Sequence, residues 1–205
     1  MRRSALVVIG ASQGGVEALR RLAAALDPRA PAAWCVALHI DSHASCLPEI
    51  LERAGPLPAR HARHGERLEP GRIHVAPSDH HLLVGDGVAR LSRGPRVNWT
   101  RPAIDPLFLS AAEAYGRRTI GVVLTGNLND GTVGLGEIRR RGGRAVVQDP
   151  LEAESPGMPT SALAQVGADH CVALAAMPAL LGALAAEVAW EGHEMLAGEG
   201  GGDDV

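Results

Sequence analysis

Short apolar runs alternate with amphipathic stretches along most of the chain. Ala5–Ile9 and Thr119–Leu124 have the length and the β-branched content that are typical of buried strands. Val16–Leu26 carries its leucines on one helical face, and Ile104–Tyr115 is also predicted to be a helix. Because strands that alternate with helices build a parallel sheet, this pattern predicts helices on both faces of such a sheet.

One pair of strands departs from the parallel pattern. Gly85-Asp86-Gly87 is a hairpin turn signal between two short apolar runs, so Leu82–Leu91 is predicted to be antiparallel. The predicted fold class is therefore α/β, a doubly wound, mostly parallel sheet with helices on both faces and one antiparallel hairpin. The other predicted elements are strands at Trp34–Ile40, Arg72–Ala76, Arg144–Gln148 and Cys171–Leu174, and helices at Cys46–Arg53, Val133–Arg141, Ser161–Gln165 and Pro178–Trp190.

Length and composition fit one soluble domain. The chain has 205 residues, of which 46% are hydrophobic, and a net charge of −3, which gives no support for nucleic-acid binding. Its apolar runs are too short to span or insert into a membrane, and its start lacks a signal peptide, so a cytoplasmic protein is expected. Residues 1–190 are predicted to form one domain, and residues 191–205 a flexible C-terminal tail.

The absence of lysine narrows the chemistry. All 20 basic residues are arginine, which excludes a P-loop and every Schiff-base or serine–lysine mechanism. The nine histidines have no spacing typical of a metal site, so neither a metal nor another cofactor is expected. Cys35 and Cys171 lie in apolar runs and are predicted to be small buried side chains. Trp99 is expected to pack in the core or at the rim of the site.

Three reactive side chains follow three predicted strands. Ser12 comes after the first strand, His39 closes the second, and Asp130 follows Thr119–Leu124. Because the carboxyl ends of parallel strands share one edge of a sheet, these side chains are expected to meet there. His39 could then accept the proton of Ser12 while Asp130 orients the imidazole, which is the arrangement of a serine nucleophile.

The turn that holds Ser12 allows other interpretations. Gly10-Ala11-Ser12-Gln13-Gly14 matches G-x-S-x-G, but the order Ser, His, Asp differs from that of the α/β-hydrolases. A dinucleotide site fits worse, because Ser12 occupies the place of a glycine that must let the pyrophosphate approach. Ser12 could also be a turn or cap residue, and Asp130 could cap the helix that follows it.

Several motifs in the same order and spacing resemble the catalytic domain of the CheB family of chemotaxis methylesterases. These motifs span about Leu6 to Leu184. They are IGASQGG, ALHI, HGERLEPGRIHVAPSDHHL, GPRVNWTRPAIDPLF, GVVLTGNLNDGTVGL and PGMPTSAL.

The resemblance implies a function and a set of roles. It implies a serine hydrolase that demethylates glutamate γ-methyl esters on chemoreceptor signalling helices, releasing methanol, and that can also deamidate receptor glutamine. Ser12 would be the nucleophile, His39 the general base and acid, and Asp130 the orienting carboxylate. No cofactor is implied.

The sequence also departs from the family pattern. Gln13 and Asn127 replace residues that are common in the family, and both are expected to line the oxyanion or substrate pocket. Family members carry an N-terminal receiver domain, which this chain is expected to lack, so a separate phospho-receiver protein is a candidate regulator. A non-catalytic binding module and a serine esterase for another substrate remain the alternatives.

Overall fold

The computed structural model describes residues 4–39 and 45–198 of the chain. The strands are β1 Ala5–Ala11, β2 Ala32–Leu38, β3 Ala59–His61, β4 Ile73–Val75, β5 His81–Gly85, β6 Val88–Ser92, β7 Thr119–Val123, β8 Arg144–Gln148 and β9 His170–Val172. The helices are α1 Gly15–Ala24, α2 Leu47–Ala54, α3 Ile104–Tyr115, α4 Thr132–Arg140, α5 Gly157–Gln165 and α6 Met177–Gly198, with single 3₁₀ turns at Gly116–Arg118 and Leu174–Ala176.

Seven strands form one parallel sheet in the order β3-β4-β2-β1-β7-β8-β9. β5 and β6 pair separately as an antiparallel hairpin. The predicted fold class is therefore confirmed. The chain adds strands on one side of β1 first and then crosses to β7 on the other side, so β1 and β7 flank the point where the strand order reverses. In open α/β sheets, this reversal is where ligand sites lie.

The central strand explains the two hydrophobic cores. Every residue of β1 is buried, because helices cover both faces of the sheet and successive side chains point to opposite faces. Val7 and Ile9 pack in one core with α1, α2 and α6, whereas Leu6 and Val8 pack in the other core with α3 and α4. Burial of each large side chain contributes about 2 kcal/mol. The central strands are therefore a rigid support for whatever follows them.

Several predicted boundaries are wrong. β3 was not predicted, α5 begins at Gly157 instead of Ser161, and α6 continues to Gly198 instead of ending at Trp190. The predicted tail from residue 191 thus overlaps the end of α6, and its remainder lies outside the described residues. Cys171 is exposed, unlike Cys35, because β9 is the edge strand of the sheet. Within residues 4–39 and 45–198, no helix is long and apolar enough to cross a membrane.

Candidate active site

The carboxyl ends of β1, β2 and β7 bring the three predicted side chains together. The His39 imidazole lies 3.1 Å from the Ser12 hydroxyl through Nδ1 and 2.7 Å from the Asp130 carboxylate through Nε2. The register places the three strand ends side by side, with Ala11 opposite Leu38 and Gly10 opposite Val123. A continuous chain of hydrogen bonds therefore runs from the serine to the carboxylate.

The hydrogen-bond partners of His39 determine which of its ring nitrogens carries a hydrogen. An ionised carboxylate can only accept, so His39 Nε2–H donates to Asp130. The lone pair of Nδ1 then faces Ser12, whose hydroxyl donates to it. Only 15% of the His39 side chain and 2% of the Asp130 side chain are exposed. Because water is mostly excluded from the pair, its hydrogen bond is stronger than an equivalent one at the surface.

The turn after β1 holds Ser12 at the edge of the sheet. The Ser12 backbone N–H donates to the Thr125 carbonyl at 2.9 Å, which extends the pairing of β1 with β7 by one more bond. Gly14 then takes a left-handed conformation with φ of 76° and caps α1, a geometry that glycine adopts without strain. A Cβ at Gly126 would lie 2.7 Å from the Ser12 Cβ. The neighbouring loop therefore approaches Ser12 more closely than a larger residue permits.

The Asp130 carboxylate has an unusually complete set of donors. Burial would raise its pKa, but hydrogen bonds from His39 and from backbone N–H groups hold the pKa below its usual value. Asp130 thus stays ionised in a buried position. The donors to Oδ2 are His39 and the Ile104 N–H, and the donors to Oδ1 are Asn98 and the N–H groups of Asp105 and Gly131.

A second buried acid, Asp105, stands behind Asp130. Asp130 satisfies free N–H groups at the start of α3, and Asp105 of α3 accepts the Gly134 N–H in the first turn of α4 at 2.8 Å. Each helix start is therefore capped by an acid from the other segment. Burial, with the nearby charge of Asp130, raises the pKa of Asp105 to about 6.

Sequence reasoning missed both Asp105 and its partner Asn98. The Asn98 amide donates to Asp105 Oδ2 at 3.1 Å and to Asp130 Oδ1 at 2.8 Å. The sequence did contain a signal for Asp105, because this acid lies beside Ile104 and Phe108 on the apolar, buried side of α3. No comparable signal marks Asn98, whose partners are distant in the sequence.

Gln13 and Asn127, the two predicted pocket residues, also meet. The Asn127 amide donates to Gln13 Oε1 at 2.6 Å, and this bond is exposed to solvent. It joins the turn after β1 to the loop after β7, beside Ser12. Neither side chain bonds to His39 or Asp130 in the described part of the chain. The pair therefore lies at the rim of the site, and its role as a pocket stays a prediction.

Large apolar side chains stand exposed on the loops at this edge of the sheet. Trp99 is 89% exposed, which contradicts the expected packing in the core or at the rim. Leu128, in the loop before α4, is 76% exposed, and Val133 in the first turn of α4 is 64% exposed. Leu151, which follows β8, is also fully outside the core. Exposed large apolar side chains on a protein surface can mark a place that meets another molecule.

No metal site accompanies these residues. Among the described residues, no group of three or more histidine, cysteine, aspartate or glutamate side chains could hold a metal ion.

Comparison with known proteins gives one consistent result. Residues 7–181 match the family model described as CheB methylesterase. A relative from Anaeromyxobacter dehalogenans, named protein-glutamate methylesterase/protein-glutamine glutaminase 2, is 42% identical over 87% of this chain and 53% of its own length. A putative enzyme of the same name from Leptospira interrogans is 38% identical over 82% of this chain and 88% of its own length.

A solved structure agrees with the sequence comparisons. The catalytic domain of the Thermotoga maritima CheB methylesterase superposes with a TM-score of 0.84 at 32% identity, covering 89% of this chain and 99% of that domain. The chain spans about half the length of the Anaeromyxobacter relatives and of one from Burkholderia lata. The resemblance found in the sequence motifs is confirmed.

Proposed function

This chain belongs to the CheB methylesterase family, and on that premise we propose that it is a serine hydrolase that demethylates glutamate γ-methyl esters of chemoreceptor proteins. The observation that carries the proposal is the hydrogen-bonded series Ser12–His39–Asp130. Relatives that share 42% and 44% of their aligned residues with the chain are named protein-glutamate methylesterase/protein-glutamine glutaminase. We extend the proposal to deamidation of receptor glutamine.

The first half of the proposed reaction forms an acyl-enzyme. Ser12 Oγ attacks the γ-carbonyl carbon of the methyl ester while His39 Nδ1 takes the hydroxyl proton. Asp130 keeps the other proton on Nε2 and stabilises the imidazolium. As the tetrahedral intermediate collapses, the imidazolium returns its proton to the leaving oxygen, and methanol departs. With glutamine as substrate, ammonia leaves instead.

The second half returns the enzyme to its starting state. Water gives a proton to His39 Nδ1 and attacks the acyl carbon, and the proton then passes to Ser12 Oγ as glutamate leaves. The exposed side of the Ser12 turn admits this water, since Gln13 is open to solvent. A metal is not needed at any step.

Backbone N–H groups beside Ser12 are suited to bind the oxyanion. Within the described residues, the N–H groups of Gln13 and Gly14 donate to no acceptor. They lie at the start of α1, where the helix dipole favours negative charge. We propose that the Gln13 N–H, with the Gln13 side chain held by Asn127, forms this part of the pocket.

We propose that the partner is a methylated receptor signalling helix, which meets the exposed apolar residues around the site. Trp99, Leu128 and Val133 supply the apolar contact area. We also propose that a separate phospho-receiver protein regulates the activity and that the reaction takes place in the cytoplasm. Methanol release with and without a phosphorylated receiver domain tests the proposed regulation.

The decisive experiment replaces the nucleophile. Ser12→Ala should lower methanol release from a methylated receptor signalling domain at least about a thousandfold, because among the described residues Ser12 supplies the hydroxyl that meets His39. Ser4→Ala, at the opposite end of β1, is the matched control and should retain full activity. Circular dichroism should show the same fold for both variants.

A fluorophosphonate probe separates the alternatives. Stoichiometric labelling of Ser12 together with methanol release supports the proposal. Labelling without methanol release would mean a serine esterase for another substrate. If the wild-type protein neither labels nor releases methanol, it is a binding module that has kept the geometry without the reaction.

A further inference from the structure

The loop before α3 contains a tight turn with unusual backbone geometry. The N–H groups of Val97 and Thr100 each donate to the other residue's carbonyl, at 3.2 and 2.9 Å. Between them, Asn98 and Trp99 both have positive φ, 48° and 66°. Asparagine tolerates this left-handed conformation, but a bulky tryptophan adopts it rarely. Such geometry persists only where the surroundings enforce it, and it gathers at functional sites.

The two flanks of this turn are fixed by side chains. His81, which is 4% exposed, donates through Nε2 to the Pro95 carbonyl at 3.0 Å and accepts the Ala103 N–H through Nδ1 at 3.2 Å. Arg101 donates to the Gly94 carbonyl at 2.7 Å and to Asp79 at 2.9 Å. The turn is therefore held on both sides, and the position of Asn98 is determined by the fold.

The Asn98 amide occupies the space between two acids. One amide nitrogen, with two hydrogens, donates to Asp130 Oδ1 and to Asp105 Oδ2. Three of the five donors to Asp130 are backbone N–H groups. In the described structure, the side chains that meet this carboxylate are thus His39, the neighbouring acid Asp105 and Asn98, and Asn98 is the non-titratable donor among them.

We propose that Asn98 is a positioning residue for the hydrolysis: its amide holds Asp105 and Asp130 at fixed separation and keeps Asp130 aimed at His39. This inference rests on the proposed hydrolase function. Among the described residues, Asn98 hydrogen-bonds to Asp130 and Asp105 and not to Ser12, so it acts on the reaction through Asp130.

Loss of the Asn98 amide changes the balance of charge around Asp105 and Asp130. Three titratable groups meet there: Asp105 from α3, Asp130 from the loop after β7, and His39 from the end of β2. Asp105 and Asp130 already interact directly, and the Asn98 amide donates to both. Without this donor, the repulsion between the two carboxylates is no longer offset. Asp130 then turns away from His39 Nε2, and the imidazole loses its orientation.

Two variants test this role with different chemistry. Asn98→Gly keeps the left-handed backbone and removes the amide, whereas Asn98→Asp keeps the shape and replaces a donor with an acceptor. Asp86→Gly is the matched control, because Asp86 also has positive φ, 54°, in the exposed β5–β6 turn. The measured quantity is the rate of Ser12 labelling by a fluorophosphonate between pH 5 and 9, with methanol release measured in parallel.

We expect Asn98→Gly to label about 10- to 100-fold more slowly than the wild type, as for loss of one charge-assisted hydrogen bond, with KM for the receptor unchanged. Asn98→Asp should lose as much at neutral pH. Its rate relative to the wild type should recover as the pH falls, because the introduced carboxyl donates once it is protonated. If Asn98 only stabilised the fold, its variants would have lower melting temperatures, and the labelling rate of Asn98→Asp relative to the wild type would not change with pH.

Each outcome has a definite meaning. A wild-type protein that neither labels nor releases methanol refutes the proposed function, and not the role of Asn98 alone. Wild-type labelling with both Asn98 variants within twofold of Asp86→Gly refutes the positioning role. If Asn98→Gly does not fold, the pH dependence of the Asn98→Asp ratio decides, and a flat ratio refutes the inference.

Discussion

Two histidines in the described part of the chain hydrogen-bond a carboxylate side chain, and they differ in what their second ring nitrogen meets. His39 lies 2.7 Å from Asp130, and His74 lies 2.9 Å from Glu66. The other nitrogen of His39 faces the Ser12 hydroxyl. The other nitrogen of His74 is buried without a hydrogen-bond partner. The pairing alone therefore does not make a catalytic site, since proton transfer needs an acceptor nitrogen that faces a hydroxyl.

The surroundings of the two carboxylates differ as well. Glu66 also pairs with Arg60 at 2.8 Å, whereas the neighbour of Asp130 is a second acid, Asp105. Burial lowers the pKa of His74 and keeps its ring neutral. The Glu66 pair thus joins β3 and β4 in a closed, charge-balanced contact. The Asp130 pair instead holds negative charge next to the ring that accepts a proton in the proposed reaction.

Asp130→Asn should produce the largest effect. An amide at this position can donate to His39 Nε2, so the ring would carry its hydrogen on Nδ1 and could not accept the Ser12 proton. Methanol release should fall by about 10³- to 10⁴-fold. Activity within tenfold of the wild type would show that Asp130 does not orient His39.

Glu66→Gln makes the same chemical change in the other pair and is its control. Methanol release should stay within about twofold of the wild type. The free energy of unfolding should fall by about 2 kcal/mol, because the bonds from His74 and Arg60 lose the negative charge of their acceptor. Urea unfolding monitored by fluorescence gives this value. A large loss of activity in the folded variant would contradict the distinction between the two pairs.

Asp105→Asn tests the comparison of the two carboxylate pairs through the pH dependence of the free energy of unfolding. The Asp105 pKa rises from 3.8 to about 6 on folding, so between these values the folded state binds more protons than the unfolded state. Stability due to Asp105 therefore falls as pH rises through this window. Relative to the wild type, Asp105→Asn should gain about 2 kcal/mol between pH 4 and 6.

The stability that the Glu66 pair contributes should change with pH in the opposite direction. Burial opposes the ionisation of Glu66, but hydrogen bonds from His74 and Arg63 hold its pKa below 4.5. Its contribution is present above pH 4.5 and is lost as the pH falls through the folded-state pKa. Chemical unfolding at several pH values tests both signs. If the free energy of unfolding changes with pH in the same way for Asp105→Asn and for the exposed-site control Asp86→Asn, the pH dependence assigned to Asp105 is contradicted.

Trp99→Gly tests a smaller difference between the two regions. Near His74, positive φ falls on Gly65 and Gly71, but near Asp130 it falls on the larger residues Asn98, Trp99 and Leu128 as well as on Gly131. Relief of a strained φ should raise the free energy of unfolding by about 1 kcal/mol, while KM for the methylated receptor rises. Leu151→Ala removes another exposed apolar side chain without changing a positive φ, and its stability should match the wild type. If Trp99→Gly has a lower free energy of unfolding than the wild type, the backbone strain inferred at Trp99 is contradicted.

The sequence predicted the features that depend on local pattern. Apolar runs between amphipathic stretches determine the parallel sheet, and the limits of Ile104–Tyr115 and Arg144–Gln148 were predicted without error. Ser12, His39 and Asp130 were predicted to meet because reactive side chains that end parallel strands share one edge. Their hydrogen bonds confirm that they meet, and their roles stay predictions. The geometry between them follows from strand register, which was not needed to choose them.

The missed features depend on contacts between distant segments. β3 has three residues, two of them polar, and forms only because β4 offers it an edge. The exposure of Cys171 follows from the place of β9 in the sheet, which an apolar run does not reveal. Asn98 joins acids that lie 7 and 32 residues away in the chain.

The exchange of caps between α3 and α4 has a consequence for how this scaffold can diverge. Asp130 caps α3 while it orients His39, whereas the Ser12 hydroxyl bonds only to His39 in the described structure. If the chain is a hydrolase, as we propose, a descendant that abandons hydrolysis can therefore replace its serine at little cost to folding, but it remains under selection for the aspartate. In such a descendant, an aspartate without its serine would be the trace of a former enzyme.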